Sequence, residues 1–419
     1  MIDPAEARRA AESAARDGYG RLVAYLSARS RDVAGAEDAL GEAFRAALET
    51  WPRDGVPANP EAWLLAVARR RRIDDARHDR VKAEAAPVLR LLAGRRQATL
   101  GSGDVDGVIP DERLKLMFVC AHPAIDPGAR TPLMLQVVLG LDAARIASAF
   151  LVAPAAMSQK LVRAKAKIRD AGIPFEVPSP REWPSRLGPV LEAIYAAYGT
   201  GWEDAAGADP RRRGLAGEAI WIARILVRLV PSEAEARGLL ALLLHCEARR
   251  AARRSPGGGY VPLDEQDVAL WSCSAIEEAE RELASAAKLR MIGRFQLEAA
   301  IQSVHAQRAT TGRTDWEAVA LLYEELVRRW PTLGARVGRA AALASARGPG
   351  SGLAALEAID PRSALIYQPY WAVRAHLLAW AGDHDAARDS YSRAIGLAED
   401  RPVRDFLFRA RDRLPSAGG

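Results

Sequence analysis

Apolar side chains recur along the chain at intervals of three and four residues, the spacing that places them on one face of an α-helix. In the first eighty residues this pattern predicts helices over 20–30, 33–51 and 61–80, and the second should turn Leu40 and Leu48 inward. Runs in which apolar and polar side chains alternate, as they do in half-buried strands, are nearly absent. The pattern therefore predicts an all-α fold.

Two further helices joined by a tight turn are predicted at 142–150 and 154–168. Asp142 is placed to cap the first helix, and Pro154 suits the first position of the second because its missing N–H costs nothing there. The inner faces are formed by Ile146, Ala147 and Phe150 in the first helix and by Met157, Leu161, Ala164 and Ile168 in the second. A short helix, a turn and a cationic second helix fit the major groove of DNA, although an ordinary helical hairpin has the same pattern.

The C-terminal half continues as helices, predicted at 181–198, 213–230, 232–254, 264–288 and 290–308. Two helical pairs follow, 315–329 with 333–346 and 371–381 with 383–397. In the last pair, tetratricopeptide spacing is shown by Trp371, Gly382, Ala387, Tyr391 and Ala394. Such repeats form a concave surface for a peptide or another domain, while a plain helical bundle is the alternative.

Composition narrows the function further. The net charge of +6 favours a polyanionic partner once the charge is localised. No catalytic signature and no phosphate loop is found, so no enzyme activity and no cofactor are expected. Cys120 and His122 lack a second pair of ligands, so we expect a buried thiol at a helix end rather than a metal site. The polar N-terminus and the absence of long apolar runs predict a cytoplasmic protein without membrane contact. Nucleoid association is expected only from the family resemblance described below.

The positive charge is concentrated on the helix predicted at 61–80. Arginines crowd its second half at Arg69, Arg70, Arg71, Arg72, Arg77 and Arg80. Like charges this close repel one another, and nucleic-acid phosphates would neutralise them. The alternative is a solvated face with Asp74, Asp75 and Asp79 as partners.

The segments AEDALGEAFRAALETW and PEAWLLAVARRRRIDDARHD resemble region 2 of the extracytoplasmic-function sigma factors of bacterial RNA polymerase. The resemblance implies contact with core polymerase through Asp38, Glu42 and Phe44. It implies capture and opening of the −10 promoter element by Trp63, Arg69, Arg70, Arg71, Asp74 and Arg77. Gly41 and Arg70 depart from the family pattern, which usually has Gln and Asn at these positions.

The segments around Asp111–Leu114, Cys120–Pro123 and Phe150–Lys165 resemble the sigma-factor branch with a tetratricopeptide-like C-terminal extension. The second helix of the predicted helix-turn-helix then reads the −35 element. The residues implied in DNA contact are Ala155, Ala156, Ser158, Gln159, Lys160, Arg163, Lys165 and Lys167. The implied domains are region 2 at 1–80, a linker at 81–110, region 4 at 111–175 and the extension at 176–419.

Three hypotheses follow. The first is a sigma factor that binds core RNA polymerase and both duplex and melted promoter DNA, with its extension as the regulator and as the site of a possible protein partner. The second is a polymerase-independent helix-turn-helix regulator with a tetratricopeptide sensor. The third is a tetratricopeptide scaffold whose arginines are merely solvated. The sequence leaves open whether the extension activates or inhibits.

Overall fold

The computed structural model describes residues 4–84, 112–150, 152–203 and 215–415, with the side chains of the third helix described as far as residue 72. These residues are largely helical and contain no β-strand, which confirms the predicted all-α class. Contacts divide the chain into two compact units, Met1–Ala193 and Ile194–Gly419.

The first unit begins with three helices, α1 (Pro4–Ser30), α2 (Val33–Asp54) and α3 (Pro60–Glu84). Asp32 caps α2 by accepting a hydrogen bond from the Gly35 amide at 3.1 Å. Asn59 accepts one from Ala62 at 3.1 Å and so caps α3, as its position predicted. The core between the three helices is apolar and sealed, and its largest side chains are Leu22, Leu40, Trp51 and Leu64.

Four shorter helices follow in the same unit: α4 (Arg113–Cys120), α5 (Pro127–Val137), α6 (Ala143–Ala149) and α7 (Pro154–Asp170). Asp142 accepts a hydrogen bond from the Arg145 amide at 2.9 Å, so the predicted cap of α6 is confirmed. The predicted inner face of α7 is also confirmed, because its buried residues are Met157, Leu161, Ala164 and Ile168.

Helices α1 and α2 pack directly against the following group, α1 against α4 and α5 and α2 against α7. A Cβ atom added to Gly20 of α1 would lie 1.8 Å from the backbone carbonyl oxygen of Val138, just after α5, so only glycine permits this approach. Gly140, at φ +67°, lies against the ring of Tyr19. These two glycines hold α1 close to the segment that connects α5 with α6.

Helix α8 (Trp183–Glu203) crosses the boundary between the two units. The second unit continues with α9 (Leu215–Leu229), α10 (Ala234–Ala248), α11 (Cys273–Lys288), α12 (Arg294–Ala306) and the short α13 (Arg308–Thr311). Glu235 of α10 accepts hydrogen bonds from the Phe295 and Gln296 amides at 3.0 and 3.1 Å, which binds α10 to the first turn of α12.

The last helices of the second unit are α14 (Trp316–Arg329), α15 (Leu333–Arg347), α16 (Pro349–Glu357), α17 (Pro361–Ala364), α18 (Gln368–Trp380), α19 (His384–Leu397) and α20 (Arg401–Asp412). The predicted pairs correspond to α14 with α15 and α18 with α19. In the second pair Ala387, Tyr391 and Ala394 are buried, and Gly382 ends α18 at φ +87°. Their assignment as tetratricopeptide repeats stays a prediction.

Several expectations were wrong in detail. Leu48 and Phe150, both expected on inner faces, are 50% and 39% exposed. The helix expected from residue 264 begins only at Cys273, after two short 3₁₀ turns at Leu263–Glu265 and Val268–Leu270. Helices α16, α17 and α20 were not predicted.

Candidate nucleic-acid interface

The arginine face of α3 consists of Arg69, Arg70 and Arg71, and its members differ in environment. Arg70 and Arg71 are exposed to solvent. Arg69 is half-buried, donates a hydrogen bond to the Tyr25 hydroxyl, and holds its guanidinium 5.1 Å from the centre of the Tyr25 ring. The side chains of Asp74 and Arg77, also expected here, lie outside the described residues. The described part of this face therefore presents two guanidinium groups to solvent.

Trp63 lies on the same helix and packs edge-on against Trp51, with their ring centres 5.5 Å apart at an angle of 67°. Trp51 is fully buried, whereas Trp63 is half-buried. The buried indole therefore fixes the orientation of a ring that remains partly open to solvent, next to the loop that precedes α3.

The acidic residues of α2 form a separate surface. Asp38 is exposed and Phe44 is half-buried. Glu42 accepts a hydrogen bond from Arg45 at 2.5 Å, and this contact holds the pKa of the Glu42 carboxyl below its usual range. Glu42 therefore stays ionised near neutral pH. The three residues expected to bind polymerase are thus on or near the surface of one helix.

The outward face of α7 is solvent-exposed along its length. Its exposed members include Ala155, Ala156, Ser158, Gln159, Arg163 and Lys167. Val162 shares this face and is 63% exposed, a residue that the sequence interpretation missed. Gln and Arg reach base edges, and an exposed aliphatic side chain suits the thymine methyl group. The face therefore has the chemical groups for contact in a major groove.

Two lysines of α7 are already engaged within the protein. Lys160 lies 3.8 Å from the Asp126 carboxylate. Lys165 forms an ion pair with Glu37 of α2, with Nζ and Oε2 2.7 Å apart and side-chain exposures of 15% and 13%. The second oxygen of Glu37 accepts a hydrogen bond from the Tyr19 hydroxyl at 3.2 Å, and burial together with Glu37 raises the pKa of Tyr19.

Comparison with known proteins assigns a family to the part of the chain that contains α2 and α3. Residues 15–81 match the family described as Sigma-70 region 2, which covers the acidic face of α2, Trp63 and the arginine face of α3. A protein of Rhizobium meliloti (strain 1021), whose own function is uncharacterised, is 37% identical over 406 residues, 96% of this chain and 94% of its own length. The chain belongs to the same family as this protein.

The family match at region 2 supports an RNA polymerase sigma factor and implies interaction with core RNA polymerase and promoter DNA. Residues 186–287 match a second family, described as a family of unknown function (DUF6596). No solved structure matches the chain.

Sequence reasoning assigned no role to Tyr19, Tyr25 or Glu37, and the side chain of Glu37 is only 13% exposed. Glu37 stands beside Asp38 in the acidic motif, but its partner Lys165 is 128 positions away. No local pattern links residues at that separation. A tyrosine beside an arginine-rich helix is likewise visible only once the helices are packed.

The predicted thiol environment is confirmed. Cys120 ends α4 fully buried, and burial raises its pKa. His122 accepts a hydrogen bond from the Ala124 amide through Nδ1 at 3.1 Å. Within the ranges given above, no group of three or more His, Cys, Asp or Glu side chains is arranged to hold a metal ion. Among the helices described there, none is both long and apolar enough to cross a membrane.

Proposed function

We propose that the chain is a sigma factor of the extracytoplasmic-function type, with region 4 at 111–175 and a C-terminal unit that regulates it. The observation that carries the proposal is the pairing of a sigma-70 region 2 with a second helical group whose last helix, α7, exposes a polar, cationic face. Such a factor acts in the cytoplasm on the nucleoid.

In this proposal the acidic surface of α2 binds core polymerase. Asp38 and Glu42 supply exposed negative charge, and Phe44 adds a half-buried aromatic edge. Charged groups around an apolar contact steer association and set its orientation. The ion pair between Glu42 and Arg45 is exposed, so rearranging it on binding costs little.

The arginine face and Trp63 then act on the −10 element. Arg70 and Arg71 neutralise backbone phosphates, which makes binding dependent on salt concentration. The partly open ring of Trp63, held by Trp51, offers a flat surface on which an unpaired base stacks. Stacking of this kind favours the melted strand over the duplex.

Helix α7 is assigned to the −35 element. Gln159 and Arg163 lie on its exposed face and are long enough for bidentate contacts to adenine and guanine. Lys167 is placed for a phosphate. Lys165 becomes available to DNA only after it leaves Glu37, so the proposal requires a conformational change.

The distance between the −10 and −35 promoter elements also requires a conformational change. The −10 and −35 elements lie more than two turns of duplex apart, about 80 Å. In the structure α2 and α7 share an ion pair. Residues 85–111 connect the two helical groups, and a chain of that length spans at most about 90 Å. The described arrangement is therefore assigned to a closed state that opens before both elements are engaged.

Transcription in vitro with purified core polymerase and the full chain tests the proposal. Templates drawn from a library of random −35 sequences would be compared for wild type and Arg163→Ala. The substitution is expected to relax −35 discrimination at the contacted base by about 1–3 kcal/mol. Arg169→Ala, at the end of the same helix, is the control and should weaken all templates alike.

No promoter-specific transcript at any salt concentration, either from the full chain or from a chain truncated after about Pro178, would reject the proposal. A gel shift without polymerase distinguishes the alternative, because a polymerase-independent regulator binds duplex DNA tightly by itself. Salt-dependent, sequence-specific binding by the chain alone, together with no transcript, would favour that alternative.

A further inference from the structure

The second unit contains a cavity of about 390 Å³ between the helices α12–α15 and α18–α20 and the segment Tyr260–Trp271. This segment is tied to the helices at both ends. The Tyr260 and Phe406 rings pack edge-on with centres 5.4 Å apart. Arg308 donates hydrogen bonds to the backbone carbonyls of Asp264 and Gln266, both at 2.6 Å. The chain's own segment thus occupies part of the helical surface.

The size of the remaining space limits its occupant. The segment Tyr260–Trp271 lines the cavity beside the helices, so the chain itself covers surface that an extended peptide would need. A volume of about 390 Å³ is within the range of small-molecule sites. Six aromatic side chains contribute to the walls, at Tyr260, Trp271, Trp316, Trp380, Tyr391 and Phe406.

Within the described part of the chain, one buried polar atom in the cavity wall has no hydrogen-bond partner. Trp271 is 4% exposed, and its Nε1 donor is unsatisfied. His305, 7% exposed, is a second polar residue of the wall, and its ring packs edge-on against Trp316 with the ring centres 5.3 Å apart. Burial, together with Arg249 and Arg308, lowers the pKa of His305 to about 4, so the ring is neutral at pH 7. Buried polar groups of this kind are usually paired, which points to a ligand.

The polar groups around Trp271 that a ligand could contact are mainly hydrogen-bond donors. The Arg308 guanidinium lies 5.0 Å from the Trp271 ring centre, and it adds positive charge there. Asp264 and Glu265 also line the cavity, but they are exposed and water screens their charge. A cationic ligand would therefore meet a guanidinium, whereas an acceptor oxygen would meet donors.

We propose that this cavity binds a small planar aromatic molecule that carries a carbonyl or carboxylate oxygen. Its ring system stacks among the aromatic walls, and its oxygen accepts from Trp271 Nε1 once the indole turns this enclosed atom toward the cavity. The neutral imidazole of His305 supplies one donor and one acceptor to the same molecule. The Arg308 guanidinium makes a carboxylate the stronger of the two head groups.

Isothermal titration of the full chain tests this with three naphthalene probes that share one ring system: 2-naphthoate, 2-naphthamide and 2-naphthylmethylammonium. The naphthoate is expected to bind with a submillimolar Kd, the amide less tightly, and the ammonium at least tenfold more weakly than the naphthoate. Equal or tighter binding of the ammonium would overturn the proposal, and so would a lack of binding by all three at millimolar concentration.

Three variants locate the site. Trp271→Phe keeps most of the ring and removes the N–H, so naphthoate should bind about tenfold more weakly. Ala372→Phe fills the cavity and should abolish binding. Trp221→Phe, on α9 and outside the cavity wall, is the matched control and should leave affinity unchanged.

Circular dichroism would verify that each variant is folded. Unchanged binding by either cavity variant would overturn the assignment. The measurement needs neither polymerase nor DNA, so its outcome is independent of the function proposed for the first unit.

Discussion

Replacing Lys165 by Met tests whether its ion pair with Glu37 holds α7 against α2. The substitution keeps the length and packing of the side chain and removes the charge. Glu37 is then left largely buried, with Tyr19 as its remaining hydrogen-bond donor. The expected result is a marked loss of stability in the first unit, because a buried carboxylate loses its cation.

The magnitude follows from the geometry. Two unit charges 2.7 Å apart attract by about 6 kcal/mol at an effective dielectric constant of about 20. Removing both ions from water offsets much of this, but deleting one partner leaves the other uncompensated. The two side chains are only 15% and 13% exposed, so we expect the free energy of unfolding to fall by about 3 kcal/mol. This value is at the lower end of the range for broken buried ion pairs, because Tyr19 still donates a hydrogen bond to Glu37. In a unit of this size that corresponds to a melting temperature lower by about 10 °C.

Calorimetry of the full chain measures the effect, and a double-mutant cycle with Glu37→Gln isolates the pair. The double variant should be more stable than the sum of the single losses predicts, because it leaves no unpaired charge. Glu49→Gln is the control, since its pair with Arg45 is 58% and 57% exposed and should contribute less than about 1 kcal/mol. If Lys165→Met melted no earlier than this control, the ion pair would not be what holds the closed arrangement.

Three further predictions concern packing, reactivity and pH. Gly20→Ala should destabilise the first unit by more than about 2 kcal/mol, because the new methyl group meets a backbone carbonyl. Gly41→Ala has open space around it and should stabilise the unit by about 0.5–1 kcal/mol. Urea denaturation of the two variants compares their free energies of unfolding. Cys273 is exposed and should react with iodoacetamide in the native protein, while the buried Cys120 should not. Mass spectrometry would measure the labelling of each cysteine, and equal labelling would contradict the described burial. His245 is buried, and its pKa in the folded state is lowered to about 4. The ordinary pKa of histidine is 6.5, so below pH 6.5 the unfolded state binds a proton more readily than the folded state does. The neutral His245 ring therefore contributes its full stability above pH 6.5, and this contribution falls by about 2 kcal/mol when the pH is lowered to 5. His245→Gln should flatten the pH dependence of the urea midpoint, and an unchanged slope would argue against the shift.

The sequence alone determined most of the local structure. The four inward residues of α7, Met157, Leu161, Ala164 and Ile168, are those that helical spacing predicts. The caps at Asn59 and Asp142 were also predictable. Both signals depend on residues three or four positions apart, within one turn of the same helix. The motifs of region 2 are equally local, and they carried the resemblance that the family match supports.

Only the tertiary structure decided which helical faces meet. Leu48 satisfies the spacing of an inner face, yet it is half exposed among the described residues. Glu37 and Lys165 are unremarkable polar residues until the fold places them in contact across 128 positions. The cavity beside Trp271 likewise depends on one segment lying against helices that follow it, from α12, which begins at Arg294, to α20, which begins at Arg401. Helical periodicity specifies that a face will be buried, but the partner of that face depends on long-range packing that no single stretch of sequence contains.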